Sequence, residues 1–252
     1  MKSTGRIGAL VLAGSSGRID EERCRVLGAL GVNALSIRWF GGPGQPSTIR
    51  EVPLETFTGA LDRLVALGMD RLLVVGTSKG AEAALLLAVR DPRVDAVVAL
   101  SPTSVAWEGF GEPGASSWTW RGEPVPFAAY PAQWPDDGEF RGFYRRGLED
   151  APGAAGIPIE RSAAEFVLVA GEDDRMWPSA AFARELAARC PAATVVTHPL
   201  AGHRVRLPGE GPAGDTRGFV YGGAATADAE LGALAWREIE RLVGAWREGT
   251  GA

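Results

Sequence analysis

A glycine-flanked serine, set between an apolar strand and an apolar helix, constrains this chain more than any other feature. Arg71-Leu72-Leu73-Val74-Val75 runs into Gly76-Thr77-Ser78-Lys79-Gly80, and Ala81-Glu82-Ala83-Ala84-Leu85-Leu86-Leu87-Ala88 follows. A buried strand, a sharp turn and a helix in that order lift a serine hydroxyl to the carboxyl edge of a sheet. The glycines are needed because the turn is strained and side chains beside the serine would meet neighbouring backbone. The five letters alone are weak evidence in a chain with 34 glycines, so the strand and helix around them carry the inference.

Six short apolar runs read as strands, at residues 7–13, 32–37, 71–76, 94–100, 166–170 and 194–197. Most are continuously hydrophobic rather than alternating, as in parallel strands covered on both faces. Leu54, Phe57, Leu61 and Leu64 keep helical spacing and stop at Gly68, Pro178 can open a helix running to Pro191, and Leu231, Leu234, Ile239, Leu242 and Trp246 form one stripe. Strands alternating with helices predict a doubly wound, mostly parallel α/β sheet, and residues 1–252 read as a single domain.

The alternation fails between residues 101 and 165, a Gly- and Pro-rich stretch holding Trp107, Trp118, Trp120 and Trp134, half of the eight tryptophans. Residues 116–121 and 125–127 are expected to pair as a hairpin across Gly122-Glu123-Pro124. Emerging at the serine's edge of the sheet, this insertion is expected to be a lid. Trp118 and Trp120 share a side-chain phase and are expected to line an acyl pocket. The competing expectation is a surface excursion whose aromatics pack a satellite core.

A serine at neutral pH needs a base, and the chain has two histidines. His198 closes a strand and precedes Pro199, whereas His203 lies in a loop past the last strand, where it could reach the serine. The base in turn needs a carboxylate to hold its tautomer. Asp174, three residues beyond Gly171 at the end of a strand, has the expected position, with Asp173 as runner-up. The order Ser78, Asp174, His203 is that of the α/β-hydrolases. An oxyanion hole would combine the backbone N–H of Lys79 with one from the loop Gly14-Ser15-Ser16-Gly17-Arg18, and Ser15 is the expected donor.

Other chemistries fit less well. The Gly-Ser loop lacks the Gly-Lys-Ser/Thr of a phosphate cradle. Gly109-Phe110-Gly111-Glu112-Pro113-Gly114 matches a dinucleotide fingerprint in letters but lacks a strand before and a helix after it. A net charge of −5 argues against a nucleic-acid surface. No apolar run is long enough to span a membrane, and no secretory leader pattern precedes the first strand. Cys24 and Cys190 suit reduced thiols in a cytoplasmic protein, and two Cys with two His argue against a zinc site. The expected chemistry needs no metal or cofactor, and the oligomeric state stays open.

The motifs Gly-Thr-Ser-Lys-Gly-Ala-Glu at 76–82, Trp120-Arg121-Gly122-Glu123-Pro124, Ile157-Pro158-Ile159-Glu160-Arg161, Gly171-Glu172-Asp173-Asp174, Ala201-Gly202-His203 and Tyr221-Gly222-Gly223 occur in this order. From residue 5 to residue 246 the chain resembles the catalytic domain of the acyl-CoA thioesterase and bile acid-CoA:amino acid N-acyltransferase family. It is more distantly similar to dienelactone hydrolases. The resemblance implies an α/β-hydrolase fold and hydrolysis of an acyl thioester carried by coenzyme A or a carrier arm, with Ser78, Asp174 and His203 as triad. The N-acyltransferase branch has cysteine at the elbow, so serine leans toward hydrolysis. Transfer or cyclisation from the same acyl-enzyme, and carboxylester cleavage, are the alternatives. The mammalian members carry an N-terminal β-sandwich domain, whereas this chain begins almost at its first strand. Arg18, Lys79, Arg175, Arg204 and Arg206 fall on loops expected at the rim, where cations could meet carrier phosphates.

Overall fold

The computed structural model describes residues 6–212 and 218–249, so the N-terminal run Met1 to Gly5 lies outside the described residues. Along the chain the strands are β1 (Ile7–Leu12), β2 (Asn33–Ser36), β3 (Val52–Pro53), β4 (Arg71–Thr77), β5 (Ala96–Leu100), β6 (Trp118–Trp120), β7 (Glu123–Pro124), β8 (Glu165–Gly171) and β9 (Thr194–His198). The helices are α1 (Glu21–Ala29), α2 (Glu55–Ala66), α3 (Lys79–Ala88), α4 (Arg141–Glu149), α5 (Ser179–Arg189) and α6 (Ala225–Glu248).

Six strands form an all-parallel sheet in the order β2-β1-β4-β5-β8-β9. Their side chains alternate between two cores, because successive residues of a strand point to opposite faces. Leu72 and Val74 of β4 join one core with Phe57, Leu61 and Leu64 of α2, Leu85 of α3 and Leu186 of α5. Leu73 and Val75 join the other with Leu27 of α1 and Leu231, Ile239 and Leu242 of α6. Helices therefore cover both faces, as the unbroken apolar strands require. The fold is the mostly parallel, doubly wound α/β-hydrolase sheet that the sequence indicates.

Chain order reverses between β1 and β4: β2 lies on one side of β1, whereas β4, β5, β8 and β9 follow in order on the other. A crevice opens outside the carboxyl ends of strands at such a switch point. Ser78 follows β4 and the loop from Gly14 to Arg18 follows β1, so both stand at that crevice.

The 101–165 segment is more ordered than its composition suggests. It contains the hairpin β6–β7, with β6 also parallel to β3. The expected hairpin forms with a shift. The partner of β6 is Glu123–Pro124, and the turn is Arg121-Gly122, whose φ values of 54° and 79° suit a two-residue hairpin loop. Helix α4 was not legible in the sequence. Trp107, Phe140, Phe143 and Tyr144 of this segment pack with Trp177 and Phe182 into a separate aromatic core. That is the satellite core of the competing expectation.

Candidate active site

The elbow is built from close backbone contacts. Ser78 adopts φ 55° and ψ −120°, a strained conformation for a residue with a Cβ. Its N–H donates to Leu100 O at 2.9 Å, and its carbonyl accepts from Ala81 and Glu82 at 2.8 and 3.0 Å, which starts α3. A Cβ on Gly76 would lie 2.2 Å from Gly80 O, and one on Gly80 would lie 2.4 Å from Leu12 O and Ala13 O. Glycine is required at both positions by approach distance, and the result brings α3 against β1. A Cβ on Gly14 would stand 3.8 Å from Ser78 Oγ, so the β1 loop that holds Ser15 touches the serine.

His203 Nδ1 lies 2.8 Å from Asp174 Oδ2, and both side chains are buried. The other oxygen of Asp174 accepts from the N–H groups of Met176 and Trp177 at 2.9 and 3.2 Å, which fixes the carboxylate. His203 N–H donates to Tyr221 O, and the imidazole packs edge-on against Trp177. Ser78 and His203 line one cavity of about 310 Å³. A serine in a strained turn, with an imidazole held by a buried carboxylate in the same cavity, is an arrangement suited to nucleophilic acyl transfer. Lys79 opens α3, where the first N–H groups have no partner within the helix. Ser15 lines the cavity beside it.

His198 is directed elsewhere: its Nε2 is 3.0 Å from Glu230 on α6, and it does not line the cavity. Asp173 also has a separate task. Its carboxylate accepts from Gly223 N–H at 2.9 Å and pairs with Arg175. The hydrogen bond from Gly223, with help from Arg175, holds its pKa below the ordinary value.

Several expected side chains are placed differently. Trp118 is fully buried, packed against Trp39 and Phe57, with Nε1 donating to Glu82 Oε1 at 2.6 Å. Trp120 packs against the same core and beneath Arg121. Their shared phase is as expected, but that face covers the sheet's core. No residue of 101–165 lines the cavity at Ser78. The segment's buried aromatics pack among themselves and against the main core, and the cavity walls come mainly from the β1–α1 connection and the chain after His203. Lys79 leaves the rim as well: its ammonium is buried, bonded to Glu82 and Ser117 at 2.8 Å each. Arg175 is engaged by Asp173 and Glu139. Arg18, Arg204 and Arg206 do line the cavity, Arg204 stacking over the Tyr221 ring at 3.7 Å.

Two supporting residues escaped the sequence analysis. Ser101, at φ 51°, donates from Oγ to His203 O at 2.8 Å and accepts at its carbonyl from Trp177 Nε1. Asp228, on the first turn of α6, accepts from Gly202 N–H at 2.7 Å through its carboxylate and from Arg206 N–H through its carbonyl. Burial pushes the Asp228 pKa up against that hydrogen bond and the nearby Arg204. Both residues hang the His203 loop on neighbouring elements. Only the positive φ of Ser101 and the tertiary position of Asp228 reveal them, and neither is local in sequence.

Among solved structures the chain is similar to an α/β-hydrolase fold protein from Nakamurella multipartita, at 19% identity and a TM-score of 0.55, covering 99% of this chain and 94% of that one. It is similar also to a dienelactone hydrolase-like promiscuous phosphotriesterase from metagenomic libraries, at 20% identity and a TM-score of 0.54, covering 97% and 88%. At these identities the likeness shows the fold. Human acyl-coenzyme A thioesterase 1 is 25% identical over 80% of this chain and 49% of its own length. Mouse acyl-coenzyme A thioesterase 6 is 24% identical over 92% of this chain and 58% of its own. The chain thus spans about half the length of the curated relatives it matches. The model of the BAAT / Acyl-CoA thioester hydrolase C-terminal family matches residues 52–243, from β3 through most of α6 and across all three residues of the Ser78, Asp174 and His203 constellation. The chain belongs to that family.

Proposed function

We propose that this protein is a serine hydrolase of acyl thioesters, working through an acyl-enzyme. The observation that carries the reading is the 2.8 Å contact of Asp174 with His203, whose imidazole lines the same cavity as Ser78 at its strained turn. Ser78 Oγ attacks the thioester carbonyl while His203 Nε2 takes its proton. Asp174 holds Nδ1–H and stabilises the imidazolium. The N–H groups of Lys79 and Ser15 receive the developing oxyanion. The imidazolium protonates the departing thiolate, and His203 then activates water to release the acyl group and restore Ser78.

Family membership supports hydrolysis of a thioester or ester, and relatives named acyl-coenzyme A thioesterases favour coenzyme A as carrier. The guanidinium groups of Arg18 and Arg204 at the cavity suit carrier phosphates. Among the described residues no helix is long and apolar enough to cross a membrane.

The test is a panel of acyl-CoA thioesters and matched oxygen esters, with thiol release followed for the wild type and Ser78→Ala. Thiol release that Ser78→Ala lowers about 10⁴-fold in kcat supports the proposal. Turnover of oxygen esters alone, or undiminished turnover in the variant, refutes it.

A further inference from the structure

We propose that the cavity at Ser78 selects short acyl groups that accept hydrogen bonds, such as hydroxy-, oxo- or carboxy-substituted ones, over long unsubstituted fatty chains. This rests on the acyl-transfer reading above and names the acyl class that the site would take.

The cavity's size points the same way as its walls. At about 310 Å³ it stands at the small end of ligand sites, room for a compact group rather than an extended chain. Around Ser78 and His203 the wall presents Ser15, Ser16, Arg18, Arg204 and Arg206, with Asp20 and Glu22 nearby and Ala13, Met176, Val205, Pro212 and Tyr221 as its apolar part. The aromatic groups that could have formed a fatty-chain channel are committed elsewhere. Trp107, Phe140, Phe143 and Tyr144 fill the satellite core, and Trp118 fills the main one.

The wall's donors differ in availability. Arg23 is saturated: it makes a two-pronged contact with Glu210 at 2.6 and 2.9 Å and a further bond to Thr77 Oγ1. It forms a neutral floor. Arg206 is half-buried at the cavity, and among the described residues it makes no ion pair. Arg18, two-thirds exposed with a 3.8 Å contact to Asp20, stands at the mouth, on the carrier's side. A plain methylene chain pressed against such groups would strip water from guanidinium and hydroxyl donors and give them nothing in return. An acyl oxygen replaces that water with a hydrogen bond, charge-assisted where the donor is Arg206. Chain length therefore does not raise affinity here as it would in an apolar channel, and an acceptor oxygen does.

The experiment compares butyryl, 3-hydroxybutyryl, glutaryl and dodecanoyl groups, each as a CoA thioester and as a phenyl ester. In the wild type kcat/KM for 3-hydroxybutyryl and glutaryl should exceed that for butyryl by about tenfold, the effect of one charge-assisted hydrogen bond, with dodecanoyl the poorest. Dodecanoyl as the best substrate, or a rate that rises steadily with chain length, overturns the proposal without any variant. In Arg206→Met the ratio of the substituted to the plain acyl group should fall towards one for both leaving groups. An equal loss on all CoA thioesters with none on phenyl esters would mean that Arg206 serves carrier phosphates, and would overturn the acyl assignment. The predicted acyl order on phenyl esters with no thioester turned over would uphold the selection while refuting the thioester reading.

Discussion

Replacing Lys79 with Met tests how the residue after the serine is held. The Lys79 and Glu82 side chains are 2% and 0% exposed and meet at 2.8 Å, and the ammonium also reaches Ser117 Oγ. Burial lowers the Lys79 pKa, with Glu82 opposing the change. Methionine fills much of the same space but leaves the Glu82 carboxylate buried without its cation. Removing one partner of a buried pair costs about 3–5 kcal/mol. Glu82 Oε1 would still accept from Trp107 N–H and Trp118 Nε1–H, which places the loss near the lower end, at about 3 kcal/mol. For a chain of this size that is a fall of roughly 6–12 °C in Tm. Glu82→Gln should cost a similar amount, since it strands the ammonium instead. The double variant Lys79→Met/Glu82→Gln removes both charges and should recover at least about 2 kcal/mol relative to the sum of the singles. Urea unfolding of the four proteins measures this coupling. Additive single effects would refute the account of the two residues as one buried unit joining α3 to the 101–165 segment.

Further outcomes follow from other contacts. Trp118→Ala should lose about 3–5 kcal/mol of stability through the cavity it leaves, with the relative kcat/KM across acyl lengths unchanged, and a length-dependent loss would place the ring at the substrate after all. Asp174→Asn should lower kcat by about 10⁴-fold, whereas Asp173→Asn, which disturbs only the clasp on Gly223, should stay within about tenfold; equal effects would place the acid elsewhere. Because the folded state raises the Asp228 pKa above 3.8, its contribution to stability is full below pH 3.8 and lost as pH rises through the folded value. In Asp228→Asn, which keeps an acceptor for Gly202 N–H, the denaturation midpoint should lack that fall, and an unchanged pH profile would contradict the assignment.

The elbow, the six parallel strands along the chain and the different surroundings of His203 and His198 were legible because each is written locally. A run of apolar residues ends at a glycine, and the candidate catalytic side chains follow the strand ends within a few positions. The fate of the 101–165 aromatics was not legible, because whether a tryptophan faces a ligand or a core depends on partners distant in sequence. Trp118 illustrates this: its phase with Trp120 was right, yet Trp39, Phe57 and Glu82 decide which volume that face fills. For Lys79 the position directly after the serine and the positive charge both point to the rim, but neither tells which way the side chain turns. A local signal did point inward, since Lys79 and Glu82 are three apart in a ten-residue helix that is otherwise small and apolar, where a pair can be buried only together. Ser101 carried no such signal, because nothing in its neighbourhood foretells the bond to His203 O.

The central claim is a covalent acyl group on Ser78, and the most direct measurement is intact-protein mass spectrometry after brief incubation with an acyl-CoA thioester, followed by peptide mapping. The account predicts a mass gain of one acyl group, located on Ser78, absent in Ser78→Ala and not formed at a comparable rate in His203→Ala. An acyl group mapped to another residue, or turnover with no dependence on Ser78, would contradict it.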